Sequence, residues 1–105
     1  MGLKDYITDC TRDDRKRFYV ETKKGKIIRF AIQYETLVSS KEWRPVVRYD
    51  TVHGFAHKDI LDWRGKVIEK VKMSDMDYKK ALETANLDID SNWKTYKQRF
   101  LKGGK

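Results

Sequence analysis

Four polar side chains near the middle of the chain have the chemistry needed for acid–base catalysis on RNA. They are Arg48, Asp50, His57 and Asp59. A histidine beside a carboxylate can be held in one tautomer and act as a general acid or base, while an arginine can stabilise negative charge that develops on phosphorus. A metal-independent ribonuclease needs these groups, because the 2′-hydroxyl of its substrate is the nucleophile. The alternative interpretation is an ordinary ladder of charged pairs that stabilises a hairpin.

A β-hairpin is needed to bring these four side chains together. Residues 44–52 are rich in β-branched and aromatic side chains, and residues 55–63 are so to a lesser degree. His53-Gly54 between them fits a two-residue turn, since glycine readily takes a positive φ. This register pairs Val52 with Phe55, Asp50 with His57, and Arg48 with Asp59. Because side chains alternate between the faces of a sheet, all six lie on one face.

The same segment also offers ligands for a metal ion. His53, His57, Asp50 and Asp59 supply nitrogen and oxygen atoms that suit zinc, manganese or nickel. The two histidines lie on either side of a turn, so the sequence does not fix the positions of their rings. We therefore predict no bound metal and no cofactor. Cys10 is the only cysteine, which excludes an internal disulfide and a zinc site built on several thiolates.

The strongly basic composition favours an acidic partner. The 105 residues include 24 Lys and Arg against 16 Asp and Glu, a formal net charge of +8. RNA is the partner that we expect, with an acidic protein as the alternative. The residues predicted to bind phosphate are Arg15, Lys16, Arg17, Lys23, Lys24 and Lys26. Phe18 and Tyr19 can stack on bases. The alternative is that these basic residues are simply solvated and protect an edge strand from aggregation.

Alternating hydrophobicity predicts an antiparallel sheet over residues 15–72. In the longest predicted strand, 27–38, one face carries Ile28, Phe30, Ile32, Tyr34 and Thr36. The other face is mostly polar, which indicates that only one face of the sheet is buried. Turn residues divide the segment into a meander of about five strands. Residues 1–14 show no clear period, and we expect them to form an irregular N-terminal segment.

From residue 74 the apolar spacing changes to that of one long helix, predicted over residues 74–102. Ser74 begins a sequence similar to a capping box that ends at Asp77, and Gly103-Gly104 terminates the helix. The apolar stripe of the helix needs a sheet face to cover, and the face with Phe30 and Ile32 is available. The predicted fold is therefore one α+β domain, residues 1–105, with a helix packed on one face of an antiparallel meander.

The motif Arg48-Tyr49-Asp50-x-x-His53-Gly54-x-x-His57-x-Asp59 resembles that of an uncharacterised family of small prokaryotic proteins. The similarity covers residues 43–59 and the plan of a C-terminal helix that contains Asn92-Trp93. More distantly, the motif is similar to the TumE group of toxin–antitoxin toxins, in which an Arg-Tyr-Asp strand leads into a histidine-rich turn. The first resemblance implies no known activity, and the second implies a toxin.

These observations lead to one functional hypothesis and two alternatives. No apolar run approaches the roughly 20 residues of a membrane span, and the N-terminus lacks the apolar core of a secretory signal, so we expect a cytoplasmic protein without a membrane partner. The hypothesis is an RNA-directed protein, in its sharpest form a toxin-like ribonuclease. His57 would be the general acid or base, Asp50 its orienting partner and Arg48 the phosphate clamp. The alternatives are a non-enzymatic module that binds nucleic acid or protein, and a homodimer paired through an edge strand.

Overall fold

The computed structural model describes residues 2–73 and 76–103. Within them, six β-strands each pair antiparallel with the next, so chain order and sheet order coincide. The elements are β1 (Gly2–Thr11), β2 (Asp14–Lys23), β3 (Lys26–Ser39), β4 (Glu42–Asp50), β5 (His57–Leu61), β6 (Val67–Lys72) and α1 (Tyr78–Lys102). The predicted α+β class, an antiparallel meander with one long C-terminal helix, is confirmed, with six strands instead of about five.

The core lies between one face of the sheet and α1. Phe30, Ile32 and Tyr34 of β3 are completely buried there, because their alternation along the strand points all three toward the helix. The helix contributes a stripe at three- and four-residue spacings, whose buried members are Ala81, Ala85, Ile89 and Phe100. The predicted packing of the helix over Phe30 and Ile32 is therefore confirmed.

Ile28 does not belong to this buried row, contrary to the prediction. Pairing between β2 and β3 shifts by one residue beside Glu21, so that Arg29 and Ile27 have partners on β2 while Ile28 is the extra residue of a bulge. The Ile28 side chain is consequently exposed. A bulge of this kind reverses the alternation of the strand locally, and the hydrophobic pattern alone does not reveal it.

The N-terminal segment is a strand, and the prediction of irregular structure over residues 1–14 was wrong. β1 pairs with β2 over its whole length, from Gly2 opposite Thr22 to Thr11 opposite Asp14. Nearly all of its side chains are exposed. A strand without a buried face has no alternation of apolar and polar residues to detect, so only its backbone hydrogen bonds define it.

The helix begins four residues later than predicted. Asp77 is its N-cap: the backbone there is extended, and the carboxylate accepts a hydrogen bond from the Lys80 amide at 2.8 Å. The predicted first residue, Ser74, lies outside the described residues, as does Gly104 at the other end. Gly103 is the C-cap, as expected from the sequence. Among the described residues no helix has the apolar length needed to cross a membrane.

Two aspartates link the sheet to the helix through charge-assisted hydrogen bonds. Asp14 accepts hydrogen bonds from Thr11, Tyr34, Thr36 and Lys97. Asp88 accepts them from Tyr49, Lys58, Asn92 and Tyr96. Burial by itself raises the pKa of each carboxyl group, but the hydrogen bonds outweigh burial and hold both pKa values below that of an ordinary aspartate.

These lowered pKa values predict a loss of stability in acid. The unfolded pKa of aspartate is about 3.9. Each carboxylate therefore stabilises the fold above that pH, and its contribution is lost as the pH falls through the lower folded pKa. We expect the free energy of unfolding to decrease between about pH 5 and pH 2, and less steeply in Asp88→Asn. Urea unfolding followed by circular dichroism at several pH values measures how the free energy of unfolding depends on pH in both proteins.

The matched control for the acid experiment is Glu83→Gln, which removes an exposed carboxylate from the solvent side of α1. This variant should keep the dependence on pH of the unsubstituted protein. A slope for Asp88→Asn equal to that of the unsubstituted protein would contradict the stabilising role of Asp88.

No helix of the described residues packs on the face of the sheet opposite α1, and we call it the open face; the connection between β4 and β5 covers it only near His57. Cross-strand pairing arranges its side chains in rows that run across the strands. The first row, which we call the tyrosine row, is Asp5, Tyr19, Ala31, Asp50, His57 and Lys72. The second, which we call the arginine row, is Ile7, Arg17, Gln33, Arg48, Asp59 and Lys70. The predicted catalytic residues all lie in these two rows.

Candidate nucleic-acid interface

The hairpin of β4 and β5 has the predicted register but a different turn. Asp50 lies opposite His57, and Arg48 lies opposite Asp59, as predicted. The strands are joined by six residues, 51–56, instead of two. The amide of Gly54 donates to the Thr51 carbonyl at 3.0 Å, so His53-Gly54 is not the two-residue turn and the predicted pairing of Val52 with Phe55 is absent from the ladder.

His57 is buried between carboxylates and aromatic rings. Its Nε2 atom lies 3.1 Å from Oδ1 of Asp50 and 3.6 Å from Oδ2 of Asp59. Its ring stacks on that of His53, with centroids 5.2 Å apart, and packs against Phe55. Only 2% of the residue is exposed. Its Nδ1 atom has no hydrogen-bond partner among the described residues. A substrate therefore does not reach this imidazole while residues 51–56 cover it.

Arg48 is held by an amide instead of by its cross-strand aspartate. Its Nε atom donates to the Oε1 atom of Gln33 at 2.7 Å. Asp59 is paired with Lys70, whose Nζ atom lies 3.2 Å from its Oδ1 atom. The expected contact of Arg48 with Asp59 does not form an ion pair within the described residues. The two terminal nitrogens of Arg48 make no hydrogen bond to the part of the protein that the structure describes, and a guanidinium in this state can bind an anion.

Gln33 is in turn fixed by a carboxylate in the neighbouring row. Its amide nitrogen donates to Glu35, and the Nε atom of Arg15 donates to Oε1 of the same glutamate at 2.7 Å. The guanidinium of Arg15 also lies 4.0 Å above the ring of Trp43. This chain of contacts orients Arg48, and it engages Arg15, one of the predicted phosphate-binding residues, within the protein.

The six predicted phosphate-binding residues occupy three separate places. Arg17 is exposed on the open face. Lys16 points to the other face, where its ammonium group contacts Asn86 at 2.7 Å and Asp90 at 2.5 Å. It is buried, so this ammonium group is not presented to solvent. Lys23, Lys24 and Lys26 are exposed at the β2–β3 turn, where Lys24 and Gly25 take positive φ angles.

Two hollows adjoin the open face, and both are lined by Tyr19 and Ala31. The larger, about 660 Å³, is also lined by Arg29 and Asp50, and it extends past the end of β4 to Phe30 and Tyr78 on the helix side of the sheet. The smaller, about 200 Å³, includes Arg17 and Gln33. Ala31 lies between Tyr19 and Asp50 in the tyrosine row, and its small side chain leaves the depression. The sequence alone did not single out Arg29 and Ala31 as site residues, because only the pairing of β2, β3 and β4 brings them beside Tyr19.

Comparison with known protein families gives one result. A model described as Domain of unknown function (DUF7718) matches residues 1–105. The chain belongs to the DUF7718 family. No curated protein and no solved structure matches it. The similarity of its hairpin motif to the TumE group stays a prediction, and the DUF7718 assignment supplies no activity.

The metal hypothesis receives no geometric support in this DUF7718 chain. Among residues 2–73 and 76–103, no group of three or more His, Cys, Asp and Glu side chains is arranged to hold a metal ion. His53 and His57 contact each other through stacked rings, which is a packing contact. On the open face of this DUF7718 chain, the groups that can bind a ligand include the ring of Tyr19, several guanidinium groups, the partly exposed carboxylate of Asp50 and the exposed carboxylate of Asp5.

Proposed function

We propose that the protein binds single-stranded RNA across the open face. One observation carries the proposal: Tyr19 lies between two hollows on an uncovered sheet, with Arg17 and Arg48 in the adjacent row. Proteins that bind single strands combine aromatic rings, on which bases stack, with basic groups that follow the backbone. The open face provides both kinds of group on one rigid surface.

The spacing of the rows suits a nucleotide. Side chains two residues apart on a strand are separated by about 7 Å, so the arginine row lies about that far from the tyrosine row. Arg17 and Arg48 belong to strands two apart, which corresponds to about 10 Å. A single strand that crosses the sheet can therefore keep its phosphates along the arginine row while a base rests on Tyr19.

The surrounding charge also favours a polyanion. The formal net charge is +8, and Arg29 and the exposed lysines of the β2–β3 turn continue the basic surface from the large hollow toward the end of the hairpin. Since Lys16 and Arg15 are engaged inside the protein, Arg17 and Arg48 are the basic groups that we assign to the phosphates. Binding that relies on phosphate contacts weakens as the salt concentration rises, because salt cations compete with the protein for the RNA phosphates.

The direct test removes one guanidinium from the arginine row. We expect Arg17→Gln to weaken binding of a fluorescently labelled uridine oligomer about fivefold. The slope of log affinity against log salt should fall by about 0.7, since one phosphate contact is lost from a single strand. Fluorescence anisotropy over a salt series measures both quantities.

Arg64→Gln is the matched control, because Arg64 is also exposed but lies in the turn between β5 and β6. It removes the same charge from the protein and should have a much smaller effect on both affinity and slope. Equal effects of the two substitutions would mean that RNA binding depends on net charge alone, and the proposal that RNA binds to the open face would be wrong.

A metal-independent ribonuclease is the second candidate, and the position of Asp50 favours it. Asp50 lines the large hollow and also lies beside Nε2 of His57, so an acid–base pair borders the path proposed for the RNA. Incubation of the protein with labelled single-stranded RNA, with and without EDTA, tests this candidate on a denaturing gel. Since His57 is buried, we expect the RNA to remain intact. Cleavage that persists in EDTA and disappears in His57→Ala would instead establish the ribonuclease.

A further inference from the structure

We infer that the large hollow on the open face selects guanine among the four bases. The inference rests on the proposed RNA binding and adds a specificity to it. The Tyr19 ring and the Asp50 carboxylate line the hollow on either side of Ala31, whose side chain is short enough to leave room for a base, and Tyr78 lines it on the helix side. Its volume, about 660 Å³, is within the range of open clefts that bind small ligands.

The Asp50 carboxylate is fixed by the protein through one of its two oxygens. Oδ1 accepts a hydrogen bond from the Val52 amide at 3.2 Å and lies 3.1 Å from Nε2 of His57. Oδ2 makes no hydrogen bond to the described residues, and it is not among their buried unpaired atoms. The side chain is 16% exposed. Asp50 therefore presents an oriented acceptor to the hollow that it lines.

An ionised carboxylate accepts hydrogen bonds and donates none. On its Watson–Crick edge guanine has two adjacent donors, the N1–H and the 2-amino group. Adenine and cytosine each place a ring nitrogen acceptor beside their amino group, and uracil places its N–H between two carbonyl oxygens. These acceptors repel a carboxylate that approaches the same edge. Guanine is consequently the base whose edge complements Asp50 while its ring stacks on Tyr19.

Arg29 supplies the opposite charge at the same hollow. Its side chain is 65% exposed, and its nearest carboxylate, Glu21, is at 3.8 Å, which is a long and solvated contact. A guanidinium can donate to the O6 and N7 atoms of guanine, or to the phosphate that follows the base. Either contact is compatible with a base held between Tyr19 and Asp50.

The test compares short uridine oligomers that differ only in one central nucleotide: guanosine, inosine, adenosine or cytidine. Inosine lacks the 2-amino group and is otherwise guanosine. We expect the guanosine oligomer to bind about tenfold more tightly than the inosine oligomer, as measured by fluorescence anisotropy. Asp50→Asn should abolish this difference, because an amide presents a donor as well as an acceptor. Glu83→Gln, the same chemical change on α1, should preserve it.

A second variant tests the same hollow without changing Asp50, so that its result does not depend on an effect of Asp50→Asn on folding. Ala31→Val adds two methyl groups to the floor of the hollow, in a residue type that strands favour. It should remove the preference for guanosine without any change of charge. If all four oligomers bind equally to the unsubstituted protein while Arg17→Gln still weakens them, the inference is wrong and RNA binding stands. If no oligomer binds, both proposals fail.

Discussion

Asp14→Ala is expected to lower the free energy of unfolding by about 4 kcal/mol. Asp14 is 2% exposed and receives four side-chain hydrogen bonds, three from hydroxyl groups and one from the ammonium of Lys97 on α1. Two of the donors, Tyr34 and Thr36, are completely buried. Without the carboxylate their hydroxyls lose an acceptor in a site that water does not reach, and each such loss costs about 1–3 kcal/mol.

Urea unfolding at neutral pH, followed by circular dichroism, measures this loss. Asp13→Ala is a close control, because Asp13 precedes Asp14 in the chain and its carboxylate makes only a surface contact with Arg12 at 3.6 Å. Exposed pairs of this kind contribute about 0–1 kcal/mol, so the control should remain near the unsubstituted protein. A similar small effect of both substitutions would show that the buried network around Asp14 does not hold α1 on the sheet.

The parts of this fold that the sequence predicted are those in which the side-chain pattern and the burial coincide. In β3, Phe30, Ile32 and Tyr34 alternate with smaller or polar residues, and the helix buries that row completely. In α1, the apolar spacing matches the buried stripe. Both patterns arise because one face of each element is removed from water, which is the physical origin of hydrophobic periodicity.

The parts of the fold that were not predicted are determined by backbone hydrogen bonds, which leave no periodic pattern of apolar side chains. β1 is exposed on both faces and exists through its pairing with β2, so its sequence has no period to detect. The turn between β4 and β5 is set by Thr51, whose amide donates to the Phe30 carbonyl while its hydroxyl accepts from the Phe30 amide. These bonds tie the first residue of the connection to β3, whereas the ladder with β5 ends at the pair of Asp50 and His57. Phe30 is 21 residues away in the chain, so no local turn signal encodes this contact.

The candidate site was predicted in its register but not in its accessibility. The pairing of Asp50 with His57 followed from the hairpin alone, yet the burial of His57 depends on His53 and Phe55 folding back over it. The burial of Lys16 was not predicted for the same reason, because its partners Asn86 and Asp90 are about seventy residues away in the chain. Contacts between distant segments decide which charged residues remain free for a ligand, and a single sequence does not contain that information.

Tyr19→Ala is expected to weaken binding of single-stranded RNA about thirtyfold, the largest effect of any single substitution on the open face. Stacking of a base on an aromatic ring contributes about 1–3 kcal/mol. Tyr19 is the aromatic side chain that lines both hollows. Its hydroxyl makes only a long contact with Glu21, at 3.4 Å, so the ring itself is the group that matters. Tyr19→Phe keeps the ring and should bind RNA within about twofold of the unsubstituted protein.

The dependence on salt separates stacking from charge. Tyr19→Ala removes no phosphate contact, so the slope of log affinity against log salt should stay unchanged, whereas Arg17→Gln lowers it by about 0.7. A large loss of affinity at constant slope, recovered by Tyr19→Phe, is the result expected if a base lies on the ring, provided that Tyr19→Ala has the same circular dichroism spectrum as the unsubstituted protein. If Tyr19→Ala instead binds like the unsubstituted protein, the RNA does not cross the open face. The exposed turn of Lys23, Lys24 and Lys26 is then the next surface to substitute.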